Sequence, residues 1–165
     1  MSERTSPVIV AGGGIGGLAA ALVLARQGQA VTVLEQSDAL GEIGAGIQLG
    51  PNSFRLFAHL GLTEAIDRVA YFPPHLVMRD VRSGELIVKS PVGARTRAEH
   101  GYPYGVIYRA DLHQVLLDAC RALPAIALQV KSKLVGFTQT DAAVEVQLAD
   151  GRRLRGQALI GADGL

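Results

Sequence analysis

The stretch that decides the fold is Val8-Ile9-Val10-Ala11-Gly12-Gly13-Gly14-Ile15-Gly16-Gly17-Leu18. A β-branched run typical of a strand meets a glycine cluster, and the cluster opens an apolar segment typical of a helix. The glycines at 12, 14 and 17 fit G-x-G-x-x-G, the dinucleotide fingerprint. Gly12 permits the turn off the strand, Gly14 leaves a diphosphate room against the backbone, and Gly17 brings the helix close to the strand. The sequence therefore predicts a strand–turn–helix unit whose helix start offers free N–H groups to phosphates.

A second strand that ends in a carboxylate supports this interpretation. Residues 30–35 read Ala-Val-Thr-Val-Leu-Glu, and Glu35 lies 18 residues after Gly17, where an acid accepts hydrogen bonds from an adenosine ribose. An acid at this position favours the free ribose hydroxyl of NAD or FAD over the 2′-phosphate of NADP. The alternative is a glycine-rich turn that binds nothing, with Glu35 solvated at a strand end.

Composition bounds the class of protein. The chain has 165 residues, of which 48% are hydrophobic and 19% charged, which predicts one domain with a proper core and excludes disorder. The net charge of +1 gives no electrostatic case for nucleic acid or an anionic membrane as a partner. Residues 7–25 carry no charge, but the five glycines among them favour a buried βα unit over a membrane span, and Glu3 and Arg4 do not make a secretory leader.

The single cysteine, Cys120, rules out an internal disulfide and favours a reducing, cytoplasmic location. Cys120 lies at helical spacing with leucines, so we predict a core residue rather than a reactive thiol. His59, His75 and His113 show no metal-ligand spacing, and no metal site is predicted.

Further elements follow along the chain. We predict a buried helix over 15–27, a long glycine-containing loop over 36–50 that either approaches a flat ligand or is purely structural, a helix over 51–60, and a short helix capped by Thr63. Residues 76–81 and 85–89 predict a hairpin turned by 82–84, and residues 91–104 read as irregular. After a short extended segment at 105–109 comes a longer helix that ends before Pro124. The last predicted strands cover 125–130, 133–139, 143–149, 152–156 and 158–162, the first of them parallel to the opening pair.

The predicted fold class is α/β: a Rossmann-like domain with a parallel sheet and antiparallel β excursions. A resemblance to one family implies that this is a truncated FAD-binding domain. We expect residues 1–71 to form the βαβ part and residues 72–104 to form a hairpin excursion on the substrate side. Residues 105–165 then complete the nucleotide-binding domain and end at an Asp-Gly motif.

Four segments in this order resemble one family, the single-component flavoprotein aromatic hydroxylases. They are residues 12–17, residues 44–52 (Gly-Ala-Gly-Ile-Gln-Leu-Gly-Pro-Asn), Arg109-Ala110-Asp111-Leu112 at the start of the helix that ends before Pro124, and Gly161-Ala162-Asp163-Gly164. Residues 41–48 are similar to the salicylate and 3-hydroxybenzoate hydroxylase branch. The resemblance spans essentially the whole chain.

The resemblance implies how FAD would be held. Val130 would contact adenine through its backbone, and Arg109, which by itself would suggest a surface salt bridge, would reach the flavin nucleotide with its forked donors. Gln48 would line the flavin side of the pocket, and Asp163, otherwise a turn aspartate, would serve the ribityl region and NAD(P)H docking. The predicted cofactor-binding residues are Gly12, Gly14, Ile15, Gly16, Gly17, Glu35, Gln36, Ala45, Gln48, Arg109, Val130 and Asp163.

The resemblance also implies an activity: NAD(P)H reduces FAD, and the reduced flavin uses O₂ to hydroxylate a hydroxybenzoate-type ring. The predicted partners are a small aromatic substrate and a second copy of the chain, without nucleic acid or membrane. Family members continue well past residue 165, and no catalytic residue is assigned here, so we expect residues 1–165 alone not to complete the reaction. An NAD-linked dehydrogenase domain and a non-catalytic flavin-binding module remain as alternatives.

Overall fold

The computed structural model describes residues 6–41 and 44–164. The helices are α1 (Ile15–Arg26), α2 (Pro51–His59), α3 (Thr63–Asp67), α4 (Ala94–His100) and α5 (Arg109–Arg121). The strands are β1 (Val8–Ala11), β2 (Val31–Leu34), β3 (Gly46–Leu49), β4 (His75–Arg79), β5 (Leu86–Pro91), β6 (Gly105–Tyr108), β7 (Ile126–Gln129), β8 (Leu134–Gln139), β9 (Val144–Leu148), β10 (Arg153–Gly156) and β11 (Ala158–Gly161).

The described residues form two compact units. The first comprises those before residue 43 and those from His113 onward, and the second comprises those in between, up to Leu112. The functional assignment of residues 1–71, 72–104 and 105–165 stays a prediction.

A four-stranded parallel sheet is the centre of the first unit. Its strand order is β11-β1-β2-β7, and Val10 on β1 lies opposite Ile160 on one side and Val33 on the other. β7 is parallel to β2, so the prediction of a third parallel strand at 125–130 is confirmed. The central strands β1 and β2 are almost entirely buried, as expected of parallel strands covered on both faces, whereas β7 has one buried residue, Ile126, and the edge strand β11 has none.

A three-stranded antiparallel sheet, in the order β10-β9-β8, packs against this core. The alternating residues Val144, Val146 and Leu148 of β9 are buried, and they cluster with Ile9 and Leu34 of the parallel sheet. The predicted α/β class with antiparallel excursions is therefore confirmed.

The prediction of a buried first helix holds for only one face of α1. Leu18, Ala21 and Leu22 are buried, whereas Val23 and Leu24 stay partly exposed. A helix packed on one face of a sheet buries only the stripe that faces it, whatever the composition of its other side.

The second unit contains two short antiparallel pairs, β3 with β6 and β4 with β5. The prediction of a β4–β5 hairpin from two apolar runs joined by the turn at 82–84 is confirmed, and Gly84 in that turn has a φ of 72°. By contrast, β3 lies inside the segment predicted as a loop. Four residues of mixed polarity carry little strand signal, and here they become a strand because β6 supplies the backbone partners.

Two other local predictions in the second unit are wrong. Residues 94–100 of the segment predicted as irregular form α4, which has no buried residue and therefore no apolar periodicity to reveal it. An Arg95–Glu99 ion pair of 2.8 Å and the left-handed Gly101 support this helix instead. Thr63 does not cap α3, because it is the first helical residue and Leu62 occupies the N-cap position.

Candidate functional site: the glycine loop and its surroundings

The glycine loop after β1 has the geometry that its sequence predicts. Gly12 has a φ of 113°, which L side chains rarely adopt, and a Cβ there would collide with the carbonyl of Ala162 and lie 2.8 Å from the Asp163 nitrogen. A Cβ on Gly17 would collide with the Gly12 carbonyl oxygen. The predicted tasks of Gly12 and Gly17, the turn and the close helix–strand packing, are therefore confirmed.

A row of unused donors begins α1. In the described part of the chain, the N–H groups of Gly14, Ile15, Gly16 and Gly17 have no acceptor, and the first internal bond runs from Leu18 N–H to the Gly14 carbonyl. The helix start has no side-chain cap and no acidic residue in its first turn. Four free donors at the positive end of a helix dipole form a site for an anion such as a diphosphate.

Glu35 lies beside this loop. Its Oε2 accepts a hydrogen bond of 2.8 Å from Gly13 N–H, and its Oε1 accepts one of 2.8 Å from Ser37 N–H. Burial raises the pKa of the Glu35 carboxyl, but the hydrogen bonds from Ser37 and Gly13 outweigh this effect and hold the pKa below its ordinary value. Glu35 is therefore a carboxylate near neutral pH, and each oxygen keeps a lone pair that can accept a ribose hydroxyl. Gln36 follows it with its side chain exposed.

The segment after β7 is built around backbone contacts. Ser132 N–H donates to the Glu35 carbonyl and Lys131 N–H to the Ser37 carbonyl, both at 2.8 Å, while the Ser132 hydroxyl donates to the Val130 carbonyl at 3.0 Å. Lys131 has a φ of 51°, which turns the chain sharply after Val130. Val130 N–H has no acceptor within the described residues, so it is available to a ligand.

Asp163 reaches the same loop through its backbone. Its nitrogen lies against Gly12, and the preceding Ala162 N–H donates to the Ala11 carbonyl at 2.7 Å. The Asp163 side chain is exposed and makes no hydrogen bond within the described residues, so the simple Asx-turn alternative is not what the structure shows.

The remaining predicted site residues belong to the second unit. Gln48 is exposed on β3, and Arg109 N–H donates to the Ala45 carbonyl at 3.3 Å. A Cβ on Gly44 would lie 3.2 Å from Cδ of Arg109, so the absent side chain leaves room for the arginine stem. Two of the four resemblance segments, 44–52 and 109–112, therefore meet in this unit, as 12–17 and 161–164 meet in the first.

A cavity of about 340 Å³ in the second unit is lined by Pro51, Asn52, Arg55, His100 and Tyr102. Tyr104 does not line it, and the Tyr104 hydroxyl is buried without a hydrogen-bond partner among the described residues.

His113 and Arg152 were missed by sequence reasoning. The His113 Nε2 lies 2.8 Å from the Gly13 carbonyl, and Arg152 donates to Ser132 Oγ at 3.1 Å and to the Lys131 carbonyl at 3.3 Å. For His113, the sequence offers one signal, a histidine beside the leucines of a predicted helix, and this signal does not indicate which backbone atom the ring contacts.

Cys120 has the predicted core character. It is buried on α5, and burial raises the pKa of its thiol to about 12. Among the described residues, no group of three or more His, Cys, Asp or Glu side chains could hold a metal ion. No helix in the described ranges combines the length and apolarity needed to cross a bilayer.

The first unit fits the nucleotide half of FAD on three observations. Among the described residues, four N–H groups at the helix start have no acceptor, the neighbouring carboxylate is ionised, and the Val130 N–H also has no acceptor. These match a diphosphate, a ribose hydroxyl and an adenine ring nitrogen in turn.

Comparison with known proteins gives the same result. Residues 5–165 match the model of the FAD binding domain family. The chain is 45% identical over 159 residues to a 3-hydroxybenzoate 6-hydroxylase of Polaromonas naphthalenivorans (strain CJ2), covering 96% of this chain and 40% of that protein. It is 42% identical to the 3-hydroxybenzoate 6-hydroxylase of Klebsiella oxytoca, covering 94% and 39%. The chain thus spans about two fifths of the length of these relatives.

A solved structure shares the fold. The crystal structure of Klebsiella pneumoniae HpxO complexed with FAD and uric acid superimposes with a TM-score of 0.85 at 29% identity, covering 99% of this chain and 40% of that one. The expectation of FAD as cofactor is confirmed by the family match, which does not support the NAD-linked dehydrogenase alternative. The chain belongs to the FAD binding domain family.

Proposed function

We propose that this chain is the FAD-binding part of a flavoprotein monooxygenase that hydroxylates a hydroxybenzoate-type ring. The observation that carries the proposal is 45% and 42% identity to two 3-hydroxybenzoate 6-hydroxylases over nearly the whole chain. The reaction consumes the aromatic substrate, O₂, NAD(P)H and a proton, and yields the hydroxylated ring, NAD(P)⁺ and water. Bound FAD supplies the redox chemistry, accepting a hydride from the nicotinamide and activating O₂.

The chain's own residues would bind and orient the cofactor. The N–H groups at positions 14–17 would receive the diphosphate, Glu35 would accept the ribose hydroxyls, and Val130 would bond adenine through its backbone. Gln36 would flank the ribose, and Asp163, held beside Gly12, would serve the ribityl chain. In the second unit, Ala45, Gln48 and Arg109 stay predictions that rest on the family resemblance.

Several parts of the proposal concern the whole protein rather than this chain. Because the chain spans about two fifths of its relatives, we expect residues 1–165 alone not to hydroxylate a ring. The alternative of a non-catalytic flavin-binding module stays open and is tested by the same measurements. A homodimer and a cytoplasmic location stay predictions.

Two measurements test the proposed function. The purified chain should carry the absorbance of oxidised flavin, and denaturation should release FAD. Oxidation of NADH and of NADPH is then followed with 3-hydroxybenzoate, salicylate or no ring substrate, for residues 1–165 alone and for these residues joined to the part of the Polaromonas relative that they do not cover. Hydroxylated product above the rate of free flavin only in the extended protein supports the proposal. Product from residues 1–165 alone contradicts the expected inactivity, and FAD binding without product in any form supports the module.

A further inference from the structure

The Gly13 peptide groups are held from two sides. Gly13 N–H donates to Glu35 Oε2 from β2, and the Gly13 carbonyl lies 2.8 Å from the His113 Nε2 of α5. Gly13 is buried, and His113 is 2% exposed. Gly13 is not one of the three fingerprint glycines, so these two hydrogen bonds hold a residue that the motif leaves unspecified.

The contact indicates which nitrogen of the ring carries a hydrogen. A carbonyl oxygen has no hydrogen to give, so the nitrogen facing it must be the donor. His113 therefore carries a proton on Nε2 and donates it to Gly13. Without this donor, a carbonyl in a buried loop would lose its partner, which is costly in a protein interior.

The peptide group that His113 contacts also carries the first free donor of α1. The Gly13 carbonyl and the Gly14 N–H belong to one planar peptide unit. A hydrogen bond donated into the carbonyl polarises that unit and strengthens its N–H as a donor. It also fixes the plane, and with it the direction in which the Gly14 N–H points.

The surroundings of His113 make a purely apolar role a poor explanation. Its neighbours on the buried stripe of α5 are Leu112, Leu116, Leu117 and Cys120. A leucine at position 113 would continue this stripe without burying a polar ring. The ring makes a hydrogen bond that no apolar residue could make, and that bond ends on the phosphate-binding loop.

We propose that His113 is a positioning residue for the FAD diphosphate, orienting and polarising the Gly13–Gly14 peptide through its Nε2 proton. This inference rests on the proposed placement of the diphosphate at the helix start. Glu35 would hold the preceding peptide from the other side while its remaining lone pairs serve the ribose. The two side chains, one just after β2 and one on α5, would then hold the loop in its binding conformation before FAD binds.

A matched pair of variants in the full chain tests this role. The side-chain nitrogen of glutamine can take the place of Nε2, whereas that of asparagine reaches only the place of Nδ1. We expect His113→Gln to keep FAD affinity within about threefold and His113→Asn to lose tenfold or more, measured by flavin fluorescence titration. Leu116→Ala, which opens a cavity on the same stripe without touching the loop, should leave the affinity of the folded protein unchanged.

A second readout works without FAD. The amide signal of Gly14 in the unliganded protein should shift in His113→Asn and stay near its wild-type position in His113→Gln. Nitrogen NMR of the wild-type imidazole should show a proton on Nε2, a measurement that does not depend on any variant folding.

Each contrary result is decisive. An unprotonated Nε2, equal FAD affinity in the two His113 variants, or an equal loss in Leu116→Ala would overturn the inference. If Gly14→Val binds FAD normally, the placement of the diphosphate itself fails. If Gly14→Val abolishes binding while His113→Asn does not weaken it, only the role of His113 fails.

Discussion

The close packing of α1 on β1 can be tested at two adjacent glycines. A Cβ on Gly17 would collide with the Gly12 carbonyl oxygen and lie 3.0 Å from the Gly12 carbonyl carbon and 3.4 Å from Cγ1 of Val10. Two of these three atoms are backbone, so no rotamer change relieves the contact. A Cβ on Gly16 meets nothing within 4 Å. Gly17→Ala and Gly16→Ala therefore differ in one physical respect, the collision.

The magnitude follows from that difference. Both residues lie in the first turn of α1, so both substitutions gain a similar share of the helix preference of alanine over glycine, at most about 1 kcal/mol. Overpacking a well-packed site costs about 1–3 kcal/mol, and the severity of the contact at Gly17 indicates the upper end. We expect Gly17→Ala to be less stable than Gly16→Ala by about 3 kcal/mol, or on the order of 6–12 °C in melting temperature for a chain of this size.

Urea unfolding of the FAD-free chain, followed by circular dichroism, measures the difference. Gly16→Ala should be as stable as the wild type or slightly more so, and it serves as the control for helix preference. Equal stability of the two alanine variants would refute the reasoning, because the glycine at 17 would then be dispensable for helix–strand packing.

Three further predictions concern the site and the core. In Glu35→Gln the unfolding free energy should fall by about 1–3 kcal/mol at pH 7. The difference from wild type should shrink as the pH drops below 4.5 and through the lowered folded pKa of Glu35, because protonation removes the negative charge that accepts hydrogen bonds from Gly13 and Ser37. A difference that is independent of pH would contradict this. Gly14→Val should abolish FAD binding yet keep the wild-type circular dichroism spectrum, because Gly14 has an extended backbone (φ −74°, ψ −176°) that valine readily adopts; normal FAD affinity would contradict it. At pH 8 a thiol reagent should label Cys120 only as fast as the chain opens, since its pKa is raised to about 12; rapid labelling of the native protein would contradict the buried assignment, and denatured chain is the control.

The βαβ unit was predictable because its signals are local. Each signal specifies the structure of its own neighbourhood in the sequence. These signals are the β-branched run, the glycine that adopts a φ of 113° and the carboxylate that follows β2. The hairpin over β4 and β5 was predictable for the same reason, since two apolar runs and the turn containing Gly84 lie next to each other in the sequence. The exposed helix α4 was not, because it has no apolar stripe.

By itself, the sequence determined the parallel α/β core, the glycine turn after β1 and the acid beside it, and its resemblance to a family identified FAD. Only the tertiary structure decided what surrounds that turn. Ala162 and Asp163, some 150 residues later in the chain, make the glycine at 12 necessary by packing against it. His113 reaches the Gly13 carbonyl across a sequence separation of 100 residues. The physical reason is that every residue has a backbone carbonyl and every glycine lacks a Cβ, so neither group indicates in the sequence which distant residue it will contact. Such contacts can be identified only in the folded chain.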